Sequence, residues 1–186
     1  MRYTNIPKNL LTFILSSAYL PMIDQNSEPI TEYGYLLIKS KMNEMQNKLK
    51  KVIDNIAAAR ALGDLSENEE YKTSRESKKL LEEQMPELQH YFNSCIVLTK
   101  PTRASIVSFG LKIVITENET ASSTYIIVGS REASIANGSI SIYAPLVKQM
   151  IGKKVGYSFE FKFVKFTIKE ILIPSDDEIM KSIKVD

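Results

Sequence analysis

Two acids three residues apart, Asp64 and Glu67, are the groups in this 186-residue chain best spaced to do chemistry together. They lie in the run Gly63-Asp64-Leu65-Ser66-Glu67-Asn68-Glu69-Glu70-Tyr71, a short acidic turn between two long helical patterns. Carboxylates at that spacing can converge on one point. Magnesium prefers such hard oxygen ligands, often takes only one or two carboxylates from a protein, and keeps water and phosphate oxygens in its other positions. A half-site of this kind holds metal poorly alone. It becomes useful when a partner supplies the remaining ligands, as in two-metal phosphodiester chemistry with ions about 4 Å apart. The same residues also admit a purely local role: Ser66-x-x-Glu69 is a capping box, and Asp64 and Glu67 suit the positive end of the following helix. Spacing alone leaves both readings open.

The remaining stock of catalytic groups is thin. One histidine, His90, and one cysteine, Cys95, cannot build a thiolate–imidazole zinc site. A single cysteine excludes an internal disulfide and suits a reducing, cytoplasmic setting. A net charge of +2 is too small to draw nucleic acid by bulk electrostatics, so any basic surface must be local. Hydrophobic content of 44% and charged content of 25% are those of a soluble globular protein, and the length admits two modest domains.

The acidic turn needs elements to carry it. Tyr35, Ile38, Met42, Met45, Leu49, Val52, Ile56 and Ala59 alternate three- and four-residue spacing, the seam of a helix packed on a partner at a shallow angle. That helix runs for about thirty residues, or about 45 Å at 1.5 Å each, and Gly63 ends it. A second helix resumes near Ser66 with Tyr71, Ser74, Lys78, Leu81, Met85, Leu88 and Phe92 on the same spacing. The short turn folds the two back antiparallel. Period alone does not separate this hairpin from a coiled coil between two chains, but the short connection favours the former. Pro86 removes a backbone donor inside the second helix and predicts a bend.

After Phe92 the period changes to short β-branched and aromatic runs: 95–98, 112–115, 124–128, 139–143, 157–161 and 166–171. One short helix is expected from Pro145 to Ile151. The chain thus reads as α+β: an antiparallel coiled-coil hairpin over 30–98 with the acidic tip, then a small antiparallel β domain with one short helix over 99–173. Residues 1–29 read as a weakly ordered extension. Its apolar stretch loosely imitates a signal peptide, yet it lacks a small-x-small cleavage site and is too short to span a membrane. Residues 174–186 read as a polar, frayed tail.

Three stretches resemble the bacterial Gre transcript cleavage factors. The first is Gly63 to Tyr71 followed by Lys72-Thr73-Ser74-Arg75-Glu76. The second is Ile127-Val128-Gly129-Ser130-Arg131-Glu132-Ala133, and the third runs from Gly138 through Ala144-Pro145-Leu146 to Gly156. The resemblance covers roughly residues 30–171 in order. It implies an FKBP-like C-terminal domain that docks on RNA polymerase, and a coiled coil that enters the polymerase secondary channel. It further implies that Asp64 and Glu67 are the two essential tip acids, sharing Mg2+ with the polymerase so that the polymerase cuts the backtracked 3′ end of its nascent RNA. Arg60 and Arg75 match basic positions expected to contact that RNA, in keeping with phosphate affinity that comes from a few local cations. Gly63, Ser66, Asn68 and Tyr71 match positions that shape the tip. The implied protein is a cytoplasmic monomeric accessory factor, with no membrane partner and no enzyme activity of its own. A secondary-channel regulator without cleavage stimulation is the alternative. Prolyl isomerase activity rests on fold analogy alone. The chain departs from the family pattern at Glu69, where alanine is usual, at Leu62 and at Pro86. It also departs in Lys162-Phe163-Val164-Lys165, which replaces a longer Pro-Gly-Gly loop.

Overall fold

The computed structural model describes residues 27–61 and 69–184. The chain divides into two compact units, one made of residues 36–93 and the other of the flanking segments before and after it.

The first unit is the helical hairpin, built from α1 (Glu32–Ala61) and α2 (Glu69–Ser94), each of which continues a short way into the second unit. The seam read from the sequence is the buried stripe. Ile38, Met45, Ile56 and Ala59 are buried, whereas Leu36, Leu37 and Ile53, off the stripe, stand exposed. Burying each of the large aliphatic side chains stabilises the pair by about 1.5–3 kcal/mol. On α2, Ser74, Leu88 and Tyr91 are buried. Met42, Met45 and Gln46 of α1 line one cavity with Met85, Pro86, Leu88 and Gln89 of α2. At the opposite end Arg60 of α1 bonds Tyr71 of α2, so the helices run antiparallel. The helix continues through Pro86 as a single element from Glu69 to Ser94. Exposed Lys78–Glu82 and Lys79–Glu83 pairs at i,i+4, at 3.3 and 3.9 Å, decorate the outer face, each adding at most about 0.5 kcal/mol. No described helix is long and apolar enough to cross a membrane.

The second unit is a five-stranded sheet in the order β5-β4-β3-β7-β6. Its strands are β3 (Lys112–Glu117), β4 (Ala121–Val128), β5 (Ser139–Ser141), β6 (Ser158–Phe161) and β7 (Val164–Leu172). All neighbours are antiparallel except β4 and β5, which pair in parallel through a crossover containing a 3-10 turn at Ile135–Asn137. The short helix α3 (Pro145–Met150) sits where the sequence puts it, with proline in its first turn. Val147 and Met150 join Ile113, Ile115, Ile127 and Ile168 in the main core. The fold class is therefore the expected α+β, a helical hairpin and a β domain carrying the expected short helix, while the parallel β4–β5 pair departs from an all-antiparallel sheet and a second helix follows at the C-terminal end.

Two terminal segments differ from the expectation. Glu28 and Pro29, expected to end a weakly ordered extension, and Ile30, expected to start the hairpin, together form strand β1 (Glu28–Ile30), paired in parallel with β2 (Cys95–Val97). Ile30 is fully buried. The segment is anchored because Glu132, in the crossover after β4, reaches it. The buried carboxylate accepts from Thr31 N at 3.1 and 3.2 Å, from Thr31 Oγ at 3.0 Å and from Gly129 N at 2.9 Å. Thr31 Oγ in turn accepts from Gly34 N at 3.0 Å and caps α1. This contact requires small residues. A Cβ on Gly34 would stand 1.6 Å from Glu132 Oε2, and one on Gly129 would stand 2.4 Å from the Pro29 carbonyl oxygen.

The expected frayed tail is instead helix α4 (Asp176–Ser182), started by a full capping box of Ser175 and Glu178. Its Ile179 and the following Ile183 cover Ile126 and Val128 on the face of β4 turned away from the main core. Lys112 Nζ binds Glu178, and Ser139 Oγ donates to the Ser182 carbonyl at 2.6 Å. The tail's acids had suggested a solvated end, but its apolar residues recur at a four-residue step and supply a packing face.

Candidate functional site at the hairpin end

Of the residues picked out from the sequence, Arg60, Tyr71 and Arg75 lie among those described. Gly63, Asp64, Ser66, Glu67 and Asn68 lie outside the described residues, as does Leu62. Their roles in metal binding, capping and turn shape therefore remain expectations. The donor set itself, two hard-oxygen carboxylates, suits magnesium and falls short of a full coordination shell. Among the described residues no three of His, Cys, Asp and Glu gather as a metal site.

Arg60 is exposed in the last turn of α1, and Tyr71 is half-buried in the first turn of α2 with Arg75 one turn beyond. Although Arg60 and Tyr71 are eleven positions apart, the antiparallel return brings them together. The Arg60 guanidinium donates to the Tyr71 hydroxyl. The Arg75 guanidinium carbon lies 5.9 Å from the Tyr71 ring centroid, within cation–π range. The hydrogen bond from Arg60 lowers the Tyr71 phenol below its ordinary value. Burial opposes that, and the charges of Arg60 and Arg75 and a weaker hydrogen bond from Arg75 add to it. Among the described residues, neither arginine forms an ion pair. Among the described residues the cluster thus gathers two positive charges with no acid paired to them, and in sequence it flanks the segment that carries Asp64 and Glu67.

Glu69, the departure that adds charge near the tip, is engaged locally: Lys72 Nζ binds its Oε1 at 2.7 Å, and Thr73 Oγ donates to its carbonyl oxygen at 2.9 Å. Beneath the cluster Ser74 is buried, where the sequence placed a thin point of the seam.

In the sheet unit, the connection replacing the Pro-Gly-Gly loop is a two-residue hairpin between Phe161 and Val164. Lys162 and Phe163 both take left-handed φ values, 51° and 64°. Both central residues at positive φ match the hairpin twist of a type I′ turn, a geometry usually given to Asn and Gly. Phe163 is 97% exposed. Two contacts escaped sequence reasoning altogether: the bond from Arg60 to Tyr71 and the buried Glu132 clasp. A glutamate just after the apolar end of a strand and Gly129-Ser130 was the available signal for the second; the first had none without a register between helices.

A family model described as "Transcription elongation factor, N-terminal" matches residues 28–97, and one described as "Transcription elongation factor, GreA/GreB, C-term" matches residues 102–172. The chain is similar to the transcription elongation factor GreA of Chelativorans sp. (strain BNC1), 37% identical over 134 residues, 70% of this chain and 85% of that protein. It is also similar to GreA of Mesorhizobium japonicum, 34% identical over 138 residues, 73% of this chain and 88% of the relative. Among solved structures, GreA factor homolog 1 (Gfh1) of Thermus thermophilus aligns with 78% of this chain and 98% of its own, at 14% identity and a TM-score of 0.37.

Proposed function

The chain belongs to the GreA/GreB family of transcription elongation factors, and from that membership we propose that it rescues arrested transcription by stimulating RNA polymerase to cut its own backtracked RNA. The hairpin enters the secondary channel, and Asp64 and Glu67 help to hold a magnesium ion and the attacking water at the polymerase catalytic centre. Magnesium, when bound there, polarises the scissile phosphate and lowers the pKa of the water. Arg60 and Arg75 hold the phosphates of the extruded RNA 3′ end. The sheet unit is the part that docks on the polymerase, and the chain acts in the cytoplasm as an accessory factor without catalysis of its own.

One observation carries this reading furthest: two arginines without ion-pair partners among the described residues gather at the end of an antiparallel hairpin, beside the acidic segment. A lone capping turn has no need of them. Anions are bound by such local cations whatever the net charge of the protein.

The test is a stalled, backtracked polymerase complex with magnesium. Adding the chain is expected to release short 3′ RNA fragments. Asp64→Asn or Glu67→Gln should abolish release while leaving polymerase binding intact. Release that survives both changes would reject the assigned roles. Channel occupation without release from the unaltered chain would instead assign it to regulation of polymerase.

A further inference from the structure

Arg60 and Arg75 are fifteen positions apart, yet both guanidinium groups meet one side chain, Tyr71. Two cations brought together repel each other. A carboxylate between them would relieve that repulsion by cancelling their charge, but none fills this role among the described residues. A phenol relieves it differently. Its oxygen accepts a hydrogen bond from Arg60 and a weaker one from Arg75, the negative face of its ring attracts Arg75, and the phenol cancels neither charge. A guanidinium held in a set orientation offers its planar fork to a phosphate, and less side-chain freedom is then lost on binding.

We propose that Tyr71 is a positioning residue that brackets Arg60 and Arg75 into one dicationic receptor for a phosphodiester of single-stranded RNA. The proposal rests on the reading that these arginines meet the extruded transcript. Tyr71 itself contacts neither magnesium nor the reacting bond; it acts through the two arginines. The lowered phenol pKa agrees with this arrangement, because both neighbours favour negative charge on the hydroxyl oxygen.

The experiment uses the full chain on a backtracked polymerase complex whose RNA carries 4-thiouridine near its 3′ end. Three quantities are read: cross-linking of RNA to the chain at saturation, the maximal rate of RNA release, and the half-saturating concentration of chain. Tyr71→Phe keeps the ring beside Arg75 and deletes the oxygen bonded by Arg60 and, more weakly, by Arg75. Hydrogen bonds to charged groups are strong enough that about a tenfold fall in cross-linking and maximal release is expected. The half-saturating concentration should stay within about twofold, because docking does not use this residue; a loosened hairpin would shift it too. In an Arg60→Gln background the same change should cost much less, with only the weaker bond from Arg75 left to lose, since coupled residues are non-additive. If Tyr71→Phe lowers helicity, Arg60→Lys reads the same bond from the other side, keeping the charge and losing the fork.

The bracket is overturned if Tyr71→Phe matches the unaltered chain, if its effect adds in full to that of Arg60→Gln, or if the unaltered chain gives no cross-link. Cross-linking that survives Arg60→Gln and Arg75→Gln removes the RNA-contact reading and the bracket with it. Loss with those two but not with Tyr71→Phe removes the bracket alone. Expected cross-linking without any RNA release upholds the bracket and removes the cleavage reading.

Discussion

Replacing Glu132 by alanine should loosen the sheet unit at the point where β1 joins it. The carboxylate is fully buried and takes donors from Thr31 N, Thr31 Oγ and Gly129 N at 2.9–3.2 Å. Removing it leaves two buried backbone N–H groups without their acceptor, each costing about 1–3 kcal/mol, and opens a cavity besides. The expected loss is about 3–5 kcal/mol, in line with other buried charged groups stripped of a partner. That is a large share of the 5–15 kcal/mol typical of a folded domain. Glu132→Gln is expected to cost less, about 2 kcal/mol, because one oxygen still accepts while the amide NH2 faces donors. The clasp also carries a pH signature. Burial pushes the Glu132 carboxyl above its ordinary value, and the N–H groups of Gly129 and Thr31 pull it part of the way back. Its folded state therefore binds a proton more readily than its unfolded state. Stability from this group falls as pH rises from the unfolded value of 4.5 through the raised folded value, and the full cost is present above that. Urea denaturation across pH, with hydrogen exchange at the Thr31 and Gly129 amides, is the assay. Glu132→Ala that loses less than about 1 kcal/mol, with unchanged exchange at both amides, would refute the clasp.

Glu178 should behave in the opposite sense. Its hydrogen bond from Lys112 comes first, followed by the Ser175 backbone N–H, and the carboxyl is held down to about 2. The stability it contributes is present above the unfolded value of 4.5 and is lost as pH falls through about 2. Glu178→Gln should flatten the acid limb of the stability profile, and matching profiles would contradict this assignment. Phe163→Gly should raise stability by up to about 1 kcal/mol, because glycine takes the left-handed turn without the Cβ penalty and the exposed ring buries nothing. A loss of that size in thermal unfolding would show that the ring holds a contact.

Much of the hairpin was legible because its information is local. Ile38, Met45, Ile56 and Ala59 recur with the helical period, and burial follows that stripe while Leu36, Leu37 and Ile53 stay outside it. The strands of the sheet unit announce themselves by β-branched runs, and α3 by its proline at the first turn. At the site, the family resemblance pointed to Arg60 and Arg75 as basic positions and to Tyr71 as a tip-shaping one, but not to one side chain bridging the other two. That bridge depends on how the helices are registered across the turn, and a repeating seam tolerates several registers. The terminal segments were harder still. Glu28–Ile30 becomes a strand only because β2 lies beside it and Glu132 supplies acceptors, and both partners are remote in sequence.

Residue order by itself thus determined the periods of the two helices, the short strands, and the acids and bases available between the helices. Such properties follow from backbone preferences and from which side chains share a face within a few residues. The tertiary structure alone decided the phenol shared by two arginines, the carboxylate buried against Thr31 and Gly129, and the packing of α4 on the back of β4. Each of these depends on groups far apart along the chain, whose desolvation is compensated only once folding has set them within hydrogen-bonding or van der Waals reach.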